Sequence, residues 1–349
     1  MNKFFAASNS AKGFCNYYNK CFSSLDKLYI IKGGPGTGKS SLMKRVALSA
    51  KEKGYFVEYF YCSSDQESLD GIIIYKNDLK LGIIDGTSPH AYDMKYAGAV
   101  DNIINLGKFW DENKLYERRE EIIALSQKKT HEYNIAYGYL CSCGNLFAVI
   151  QSQLAYCANF EKMLAASKRL VAELHLGSEY SEKIRLIDSI GMKGRVRFDS
   201  FERNARKICV IGDRFGFGSS MLEMIRRELM KKQRSVLVSY DPICPDRVNA
   251  IFDIDEKYAF TLSDERAENN KKSGNIKHIN MSRFMCSEKS SQVKADIKYA
   301  YSLYKKSLDG ALAHFWDIKD IHFELEKIYG ATMDFSGVDK VTESIIGKI

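Results

Sequence analysis

Short apolar runs alternate with amphipathic segments along much of the chain. The runs "KLYII" (27–31) and "YFVEYFY" (55–61) enclose a segment with helical spacing, and "GIIIY" (71–75) and "LKLGII" (79–84) flank the polar "KND". Apolar runs of this length between turn residues predict strands, and two such runs around a short polar turn predict a hairpin. Strands that alternate with helices predict an α/β fold.

A long helix is predicted near the end of the chain. From Ile297 onward, apolar residues recur every three or four positions, at Tyr301, Tyr304, Leu308, Ala311, Phe315, Ile318, Ile321 and Leu325. This spacing predicts one continuous helix whose apolar face packs in the core. Gly330 predicts the end of this helix, because glycine commonly terminates helices.

The chain also repeats itself with a shift of 180 residues. "KLYIIKGGPGTGKSSL" (27–42) aligns with "KICVIGDRFGFGSSML" (207–222), and "GYFVEYFYCSSD" (54–65) aligns with "RSVLVSYDPICP" (234–245). Each aligned pair begins with a predicted strand, and a glycine-rich loop and a predicted helix follow the first strand in both halves.

The repeat continues beyond these first strands. With one residue deleted, Asp85 aligns with Asp264, and a shift of 175 aligns "IINLGKFW" (103–110) with "HINMSRFM" (278–285). Agreement that persists along both halves indicates duplication of one ancestral unit rather than chance similarity between two glycine-rich loops.

The segment "GGPGTGKS" (33–40) matches the pattern G-x-x-x-x-G-K-[ST] between a predicted strand and a predicted helix. Glycines let successive backbone N–H groups point at a phosphate, and the start of the helix adds the positive end of its dipole. Lys39 supplies a cation between the β- and γ-phosphates, and Ser40 offers a hydroxyl to Mg²⁺. We expect ATP and Mg²⁺ as cofactors, with nucleotide contacts from Gly34, Pro35, Gly36, Thr37, Gly38, Lys39, Ser40 and Ser41.

Two aspartates follow predicted strands and should face the same edge of the sheet. Asp85 ends "LGIID", and we expect it to hold Mg²⁺ together with Ser40. Asp65 ends "CSSD" and is a candidate base or second metal-shell group, because ligands bind beyond the carboxyl ends of parallel strands. A capping or turn role is the alternative for each aspartate. The candidate catalytic residues are therefore Lys39, Asp85 and Asp65, and Thr87, Ser88 and His90 follow as candidate sensors or water-orienting groups.

The aligned loop "GDRFGFGSS" (212–220) lacks the charge of the first loop. Ser219 replaces the lysine, and Asp213 replaces the first glycine and would repel a triphosphate. Loss of one preorganised cation costs on the order of 3 kcal/mol at a charge-stabilising site. We therefore predict that this loop keeps its strand–loop–helix shape, binds no nucleotide and suits contact with a protein surface. Arg214 could instead approach a nucleotide bound in the first half.

These motifs, together with "YCSSDQESLDG" and "INLGKFWDENKL", resemble a bacterial family of tandem P-loop ATPases that is loosely described as ATPase or nucleotide-kinase-like. The resemblance implies an α/β fold of two duplicated P-loop NTPase-like units, each a mostly parallel sheet with flanking helices and a helical segment. We expect the unit with the intact loop at 1–174 and the degenerate unit at 185–349. Family members usually carry a lysine-bearing loop in both halves, so Ser219 and Asp213 depart from the family pattern.

Three functions fit this organisation. The first is ATP hydrolysis at the N-terminal site, with the C-terminal half as a pseudo-site or regulator. The second is a kinase that transfers the γ-phosphoryl group to a small molecule or nucleotide, with 111–174 as a lid and Arg118 and Arg119 as phosphate clamps. In "YERREE" these arginines also suit a salt-bridged surface. The third is a non-enzymatic switch in which ATP holds the two units together. The sequence does not identify an acceptor, a pathway or an oligomeric state.

Composition restricts the partners and the compartment. The chain has 349 residues, of which 45% are apolar and 28% charged, and its apolar runs are too short for a membrane span. We therefore expect no membrane contact, and the N-terminal segment shows no secretion signal. The net charge is +8, but aromatic residues do not interleave with the basic stretches, which argues against nucleic acid as a partner.

The cysteines favour a cytoplasmic location. Nine cysteines at irregular spacing are typical of reduced thiols in the cytosol. Cys141 and Cys143 form one tight pair, which could begin a metal site with Cys157 or His131. Structural zinc sites usually show two spaced pairs, so we favour a buried or neutral role for this one.

Overall fold

The computed structural model describes residues 2–90, 92–212, 215–263 and 275–349. The first half of the chain forms a sheet of six strands, which are, in order across the sheet, β1 (Asn2–Phe5), β5 (Phe56–Tyr61), β6 (Leu69–Lys76), β7 (Leu79–Asp85), β4 (Lys27–Lys32) and β8 (Asp101–Asn105). β6 is antiparallel to both of its neighbours, and the other neighbouring pairs are parallel. The predicted hairpin is confirmed as β6 and β7, with its turn at 77–78.

The second half forms a sheet with the same strand order. Its strands are β9 (Ser181–Ile184), β13 (Ser235–Tyr240), β14 (Val248–Asp253), β15 (Tyr258–Ser263), β12 (Lys207–Gly212) and β16 (Ile276–Asn280). β14 is antiparallel to both neighbours, as β6 is in the first sheet. Each sheet is therefore mixed, with three parallel and two antiparallel neighbouring pairs, because a tight hairpin turn joins only antiparallel strands. The matching order is consistent with the predicted duplication of an α/β unit.

Helices cover the sheets and connect them. They are α1 (Tyr18–Cys21), α2 (Lys39–Glu52), α3 (Glu112–Glu117), α4 (Arg119–Cys157), α5 (Phe160–Val171), α6 (Ser200–Asn204), α7 (Gly218–Lys231), α8 (Ser287–Gly330) and α9 (Phe335–Ile346), with 3₁₀ turns at Leu106–Phe109 and Met281–Phe284. The helix predicted from Ile297 onward is confirmed as α8, which ends at Gly330 as expected. Two small hairpins complete the fold, one formed by β2 (Ala7–Ser10) and β3 (Gly13–Asn16), the other by β10 (Asp188–Gly191) and β11 (Gly194–Arg197).

The two long helices α4 and α8 lie side by side in opposite directions. Lys129 near the start of α4 contacts His322 near the end of α8, at 3.0 Å from Nζ to Nδ1. Farther along α4, Cys143 lies 3.6 Å from the backbone carbonyl of Tyr304, which is nearer the start of α8. Each long helix thus carries the chain from one sheet to the other.

Each half of the chain gives its last helix to the core of the other half. Leu170 of α5 lies in one buried cluster with Ile225 of α7. Val338 of α9 lies in another buried cluster with Val46 of α2. Burial of apolar surface is the main stabilising term in folding, so each half depends on the other for its stability. The boundaries proposed for the two units stay a prediction, since this exchange mixes the sequence halves within each core.

The strand pairing corrects one detail of the repeat. In the first sheet, Ile31 pairs with Asp85 at the end of β7. In the second sheet, the aligned Ile211 pairs with Leu262. Leu262 therefore occupies the position of Asp85, whereas the alignment placed Asp264 there, and Asp264 lies outside the described residues. The shift of 175 is consistent with the pairing, because Ile31 pairs with Ile104 and Ile211 with Ile279.

Candidate functional site

A cavity of about 390 Å³ opens at the end of the first sheet, beside the glycine-rich loop. Its wall includes 35–41, the segments that follow β5 and β7, and side chains from α4, α8 and α9. Met192, in the turn between β10 and β11, closes one side and is held by a hydrogen bond from its backbone N–H to the carbonyl of Ser64, at 2.8 Å. Both halves of the chain therefore build this cavity, whose volume is typical of a small-molecule site.

The backbone of the loop has the shape that its glycines permit. Gly36 and Gly38 have φ values of 69° and 83°, in the left-handed region that favours glycine. A Cβ at Gly36 would also run into the backbone carbonyl of Glu326, so α8 approaches the loop closely. Gly38 caps α2, whose N-terminal N–H groups lie at the cavity. A helix N-terminus of this kind attracts anions.

Lys39 is held across the loop. Its Nζ donates to the carbonyls of Gly33 and Gly34 at 2.9 and 2.6 Å, and lies 3.5 Å from Oδ2 of Asp85. The Thr37 hydroxyl donates to the Gly34 carbonyl at 2.8 Å and so stabilises the loop, and Thr37 also lines the cavity. The ammonium group of Lys39 is thus anchored beside the cavity and neutralised in part by Asp85.

The other predicted site residues lie in the same wall. The hydroxyl oxygen of Ser40 accepts a hydrogen bond from the backbone N–H of Leu69 at 2.9 Å. Asp85 is buried, and its Oδ1 accepts from the backbone N–H of Thr87 at 2.8 Å. Oδ1 of Asp65 accepts from the Glu67 N–H at 3.2 Å. The cavity wall also contains Gly36, Gly38, Pro35 and Ser41, as well as Ser88 and His90.

Sequence reasoning missed three polar residues that face the loop from the long helices. Lys129 of α4, and His322 and Glu326 of α8, line the cavity. Burial lowers the pKa of Lys129. The hydrogen bond from His322, aided by the charges of Lys39 and Lys129, lowers the pKa of Glu326. His322 and Glu326 share one helix face, but no local pattern connects them to a loop far away in the sequence.

The equivalent cavity of the second half has different chemistry. It has a volume of about 630 Å³ and lies beside Gly216, whose φ is 76°. Where the first cavity has Lys39, Asp85 and Lys129, the corresponding positions here are Ser219, Leu262 and Tyr304. The charged side chains of this wall lie at other positions, namely Asp188, Arg195, Arg197, Asp241, Lys305 and Asp309. β12 and α7 keep the predicted strand and helix on either side of the loop.

An aromatic ring from the first half fills the space above this second loop. A Cβ at Gly216 would run into the ring of Phe147, and Gln151 donates from Nε2 to the Phe215 carbonyl at 2.8 Å. Phe147 and Gln151 belong to α4, so the loop contacts the other half of its own chain. Asp213 and Arg214 lie outside the described residues, and the suggested role of Arg214 at the first site stays a prediction.

The suggested phosphate clamps lie on the surface. Arg118 donates from Nε and Nη2 to Glu121 at 2.8 and 2.7 Å, and Arg119 lies 3.8 Å from Glu120. All four side chains are well exposed, and none is part of the cavity wall. The arginines of "YERREE" thus have the surface role that was the alternative.

The two cysteines of the pair on α4 have different surroundings. Cys141 is exposed and Cys143 is buried against α8. Within the described part of the chain, neither belongs to a group of side chains close enough to hold an ion.

Comparison with known proteins gives one match. A family model described as Nephrocystin 3, N-terminal matches residues 15–73, a stretch that includes the glycine-rich loop, α2 and β5 but ends before Asp85. No curated protein and no solved structure matches the chain. Over the ranges that the structure describes, no helix is long and apolar enough to cross a membrane.

Proposed function

We propose that the chain is a P-loop NTPase that binds ATP with Mg²⁺ at 33–41 and hydrolyses it, while the C-terminal half acts as a partner or regulator that binds no nucleotide. The observation that carries this proposal is the convergence of Lys39, Ser40 and Asp85 on one cavity at the N-terminus of a 14-residue helix. A cation, a hydroxyl and a carboxylate around a left-handed glycine turn are the groups that a nucleoside triphosphate and its metal ion need.

Backbone groups and lysine side chains make different contacts with the nucleotide in this proposal. Backbone N–H groups of the loop and of the first turn of α2 hold the phosphates, and Lys39 neutralises charge between the β- and γ-groups. To do so, its ammonium exchanges the carbonyls of Gly33 and Gly34 for phosphate oxygens. Lys129 of α4 adds a second cation to the cavity wall. It is half-buried, so its attraction to an anion is less screened by water than at an exposed position.

The donor set around the loop fits Mg²⁺. Ser40 and Asp85 offer oxygen ligands, which this cation prefers, and both line the cavity. Mg²⁺, when bound with the nucleotide, supplies positive charge that offsets the charge developing on the transferred phosphoryl group. Asp85 also accepts the N–H of Thr87, which fixes the direction of its carboxylate.

Hydrolysis itself requires a positioned water. Its oxygen bonds to the γ-phosphorus as the bond to the bridging β–γ oxygen breaks, and ADP leaves with the electron pair of that bond on its β-phosphate. The proton of the water passes to the carboxylate of Asp65. Asp65 is the carboxylate proposed to orient this water, since it lies in the cavity wall after β5. Catalysis at such a site is mainly positioning and charge stabilisation, so slow turnover is expected without further activation.

One observation favours a second function, the ATP-dependent switch. The cavity wall includes Lys129, His322 and Phe335, which reach it from the long helices and from the exchanged helix α9. A nucleotide bound there would contact both halves and stabilise their association by mass action. Binding without turnover would indicate the switch, and phosphate transfer that exceeds phosphate release in the presence of a metabolite pool would indicate a kinase.

The hydrolysis proposal makes a prediction about the metal ligands. Ser40→Ala and Asp85→Asn should each lower Mg²⁺-dependent turnover by about 100-fold while nucleotide affinity changes much less, because the ion stabilises charge that develops during transfer. Steady-state phosphate release and a binding titration on the same preparations measure the two quantities. Asp78→Asn is the matched control, since it removes an exposed carboxylate from the turn of the same hairpin. Equal losses of binding and turnover in Asp85→Asn would show that Asp85 supports the fold instead.

A further inference from the structure

Three potential metal ligands meet in the wall of the first cavity. Cys62 follows β5, Asp70 lies near the start of β6, and His90 follows the segment after β7. One sulfur, one carboxylate oxygen and one ring nitrogen of these residues all lie within 4.8 Å of one another. Because the three residues lie near the ends of three different strands, the fold brings them together, and no regular spacing in the sequence predicts the cluster.

The cluster is buried and its polar atoms are poorly satisfied. Asp70 is 4% exposed and His90 is 7% exposed. Nε2 of His90 lies 3.2 Å from Oδ2 of Asp70, but the two atoms are not aligned as a hydrogen bond. Oδ2 of Asp70 and Nδ1 of His90 lack a hydrogen-bond partner among the described residues. A buried polar atom without a partner costs about 1–3 kcal/mol, so a ligand that binds these atoms would recover that energy.

The surroundings make a water-filled alternative less favourable. The rings of Phe14 and Tyr18 each lie with their centroids 5.3 Å from the His90 ring and enclose it on the side away from the cavity. Aromatic rings on one side of His90 and the cavity on the other leave few protein groups that could satisfy these polar atoms.

We propose that Cys62, Asp70 and His90 bind one zinc ion, with a fourth coordination position that faces the cavity. A thiolate, an imidazole and a carboxylate are the ligands that zinc takes, whereas magnesium and calcium prefer oxygen alone. Three protein ligands with one open position are typical of zinc sites that bind water or substrate. On binding, the Cys62 thiol loses its proton to solvent as the sulfur–zinc bond forms, with no change of oxidation state.

In the described part of the second half, two of the three ligand positions carry other residues. Leu69 pairs with Tyr61 and Val248 pairs with Tyr240, so the next residue in each strand shows that Asn249 occupies the position of Asp70. The same register places Asp241 at the position of Cys62, because each of these residues directly follows the paired tyrosine. Cys62 and Asp70 therefore belong to the half that keeps Lys39 and are replaced at the corresponding positions of the other half. This difference indicates that they serve the first cavity and are not needed to form the repeated fold.

The zinc site can be tested on the full chain without any nucleotide. The protein, freed of metal with a chelator, is titrated with Co²⁺, whose coordination by a thiolate gives a strong near-ultraviolet charge-transfer band. We expect the band to saturate at one Co²⁺ per chain and to disappear on addition of Zn²⁺. Because no nucleotide is present, the result does not depend on the proposed ATP site.

Variants of two proposed ligands test whether these side chains bind the metal ion. Cys62→Ser should abolish the band and weaken Zn²⁺ binding at least tenfold, and Asp70→Asn should weaken it without abolishing the band. Cys244→Ser is the matched control, since Cys244 lies at the corresponding end of β13 and lines the other cavity. Circular dichroism checks that each variant is folded. Absence of the band in the unaltered protein would overturn the proposal, and this test does not depend on whether any variant folds. A band that persists in Cys62→Ser would also overturn it.

Discussion

Replacement of Lys39 by alanine is expected to weaken Mg–ATP binding by about 100-fold, or about 3 kcal/mol. Lys39 supplies the cation that the loop itself lacks, because its neighbours contribute only backbone dipoles. Its ammonium is already fixed at the loop by the carbonyls of Gly33 and Gly34, so little side-chain freedom is lost when a phosphate replaces them. Loss of this preorganised charge leaves the β- and γ-phosphates only partly neutralised.

Isothermal titration calorimetry on the variant measures this effect. Lys51→Ala is the matched control, since Lys51 lies in the last turn of the same helix α2 and is exposed. The control should bind like the unaltered protein, because its charge is far from the cavity and screened by salt. An affinity that is unchanged in Lys39→Ala, or lowered equally in both variants, would show that the site lies elsewhere.

Replacement of Glu58 by glutamine is expected to destabilise the fold by about 3–5 kcal/mol. Glu58 on β5 and Arg185, just after β9, are only 8% and 3% exposed in their side chains. Oε2 of Glu58 accepts from Nη2 and Nε of Arg185 at 2.8 and 3.1 Å, and from the Tyr75 hydroxyl at 2.9 Å. Burial disfavours the charged guanidinium, yet the carboxylate and its hydrogen bonds more than offset this effect and raise the pKa of Arg185.

The substitution leaves Arg185 charged in a buried position without its counter-charge. Because the pair joins the first half to the second, we expect the loss to lower the stability of both halves together. Urea unfolding followed by circular dichroism gives the free energy of unfolding. Asp199→Asn serves as the comparison, because it breaks the exposed pair with Arg203, whose N–O distance is also 2.8 Å. That loss should be below about 1 kcal/mol. Similar small losses in both variants would mean that the buried pair does not hold the halves together.

Local patterns were enough to predict several elements. The hairpin of β6 and β7 follows from two apolar runs around a polar turn, and the length of α8 follows from the regular recurrence of apolar residues up to Leu325. The loop before α2 follows from its glycines, which are needed for the left-handed turn. In each case the structure is set by neighbours in the sequence, so a short window contains the information.

Long-range packing explains what the sequence did not reveal. The amphipathic pattern of α5 and α9 shows that each helix has an apolar face, but it does not show which of the two sheets that face covers. The exchange of these helices between the halves therefore could not be predicted. Lys129 and Glu326 reach the loop only because α4 and α8 pass beside it. The residue that corresponds to Asp85 depends on strand register, which places Leu262 there, two residues before the Asp264 of the sequence alignment.

The central claim is that the nucleotide binds at 33–41 and at no second site. Equilibrium dialysis with Mg²⁺ and a non-hydrolysable ATP analogue, at several analogue concentrations, gives the number of nucleotides bound per chain at saturation. We predict a value of one, because Ser219, Leu262 and Tyr304 replace the two lysines and the aspartate that surround the first loop. Arg195 and Arg197, which also line the second cavity, already pair with Asp188 and Glu202. A value of zero would contradict the binding proposal itself, and a value of two would show that the second loop still holds a triphosphate.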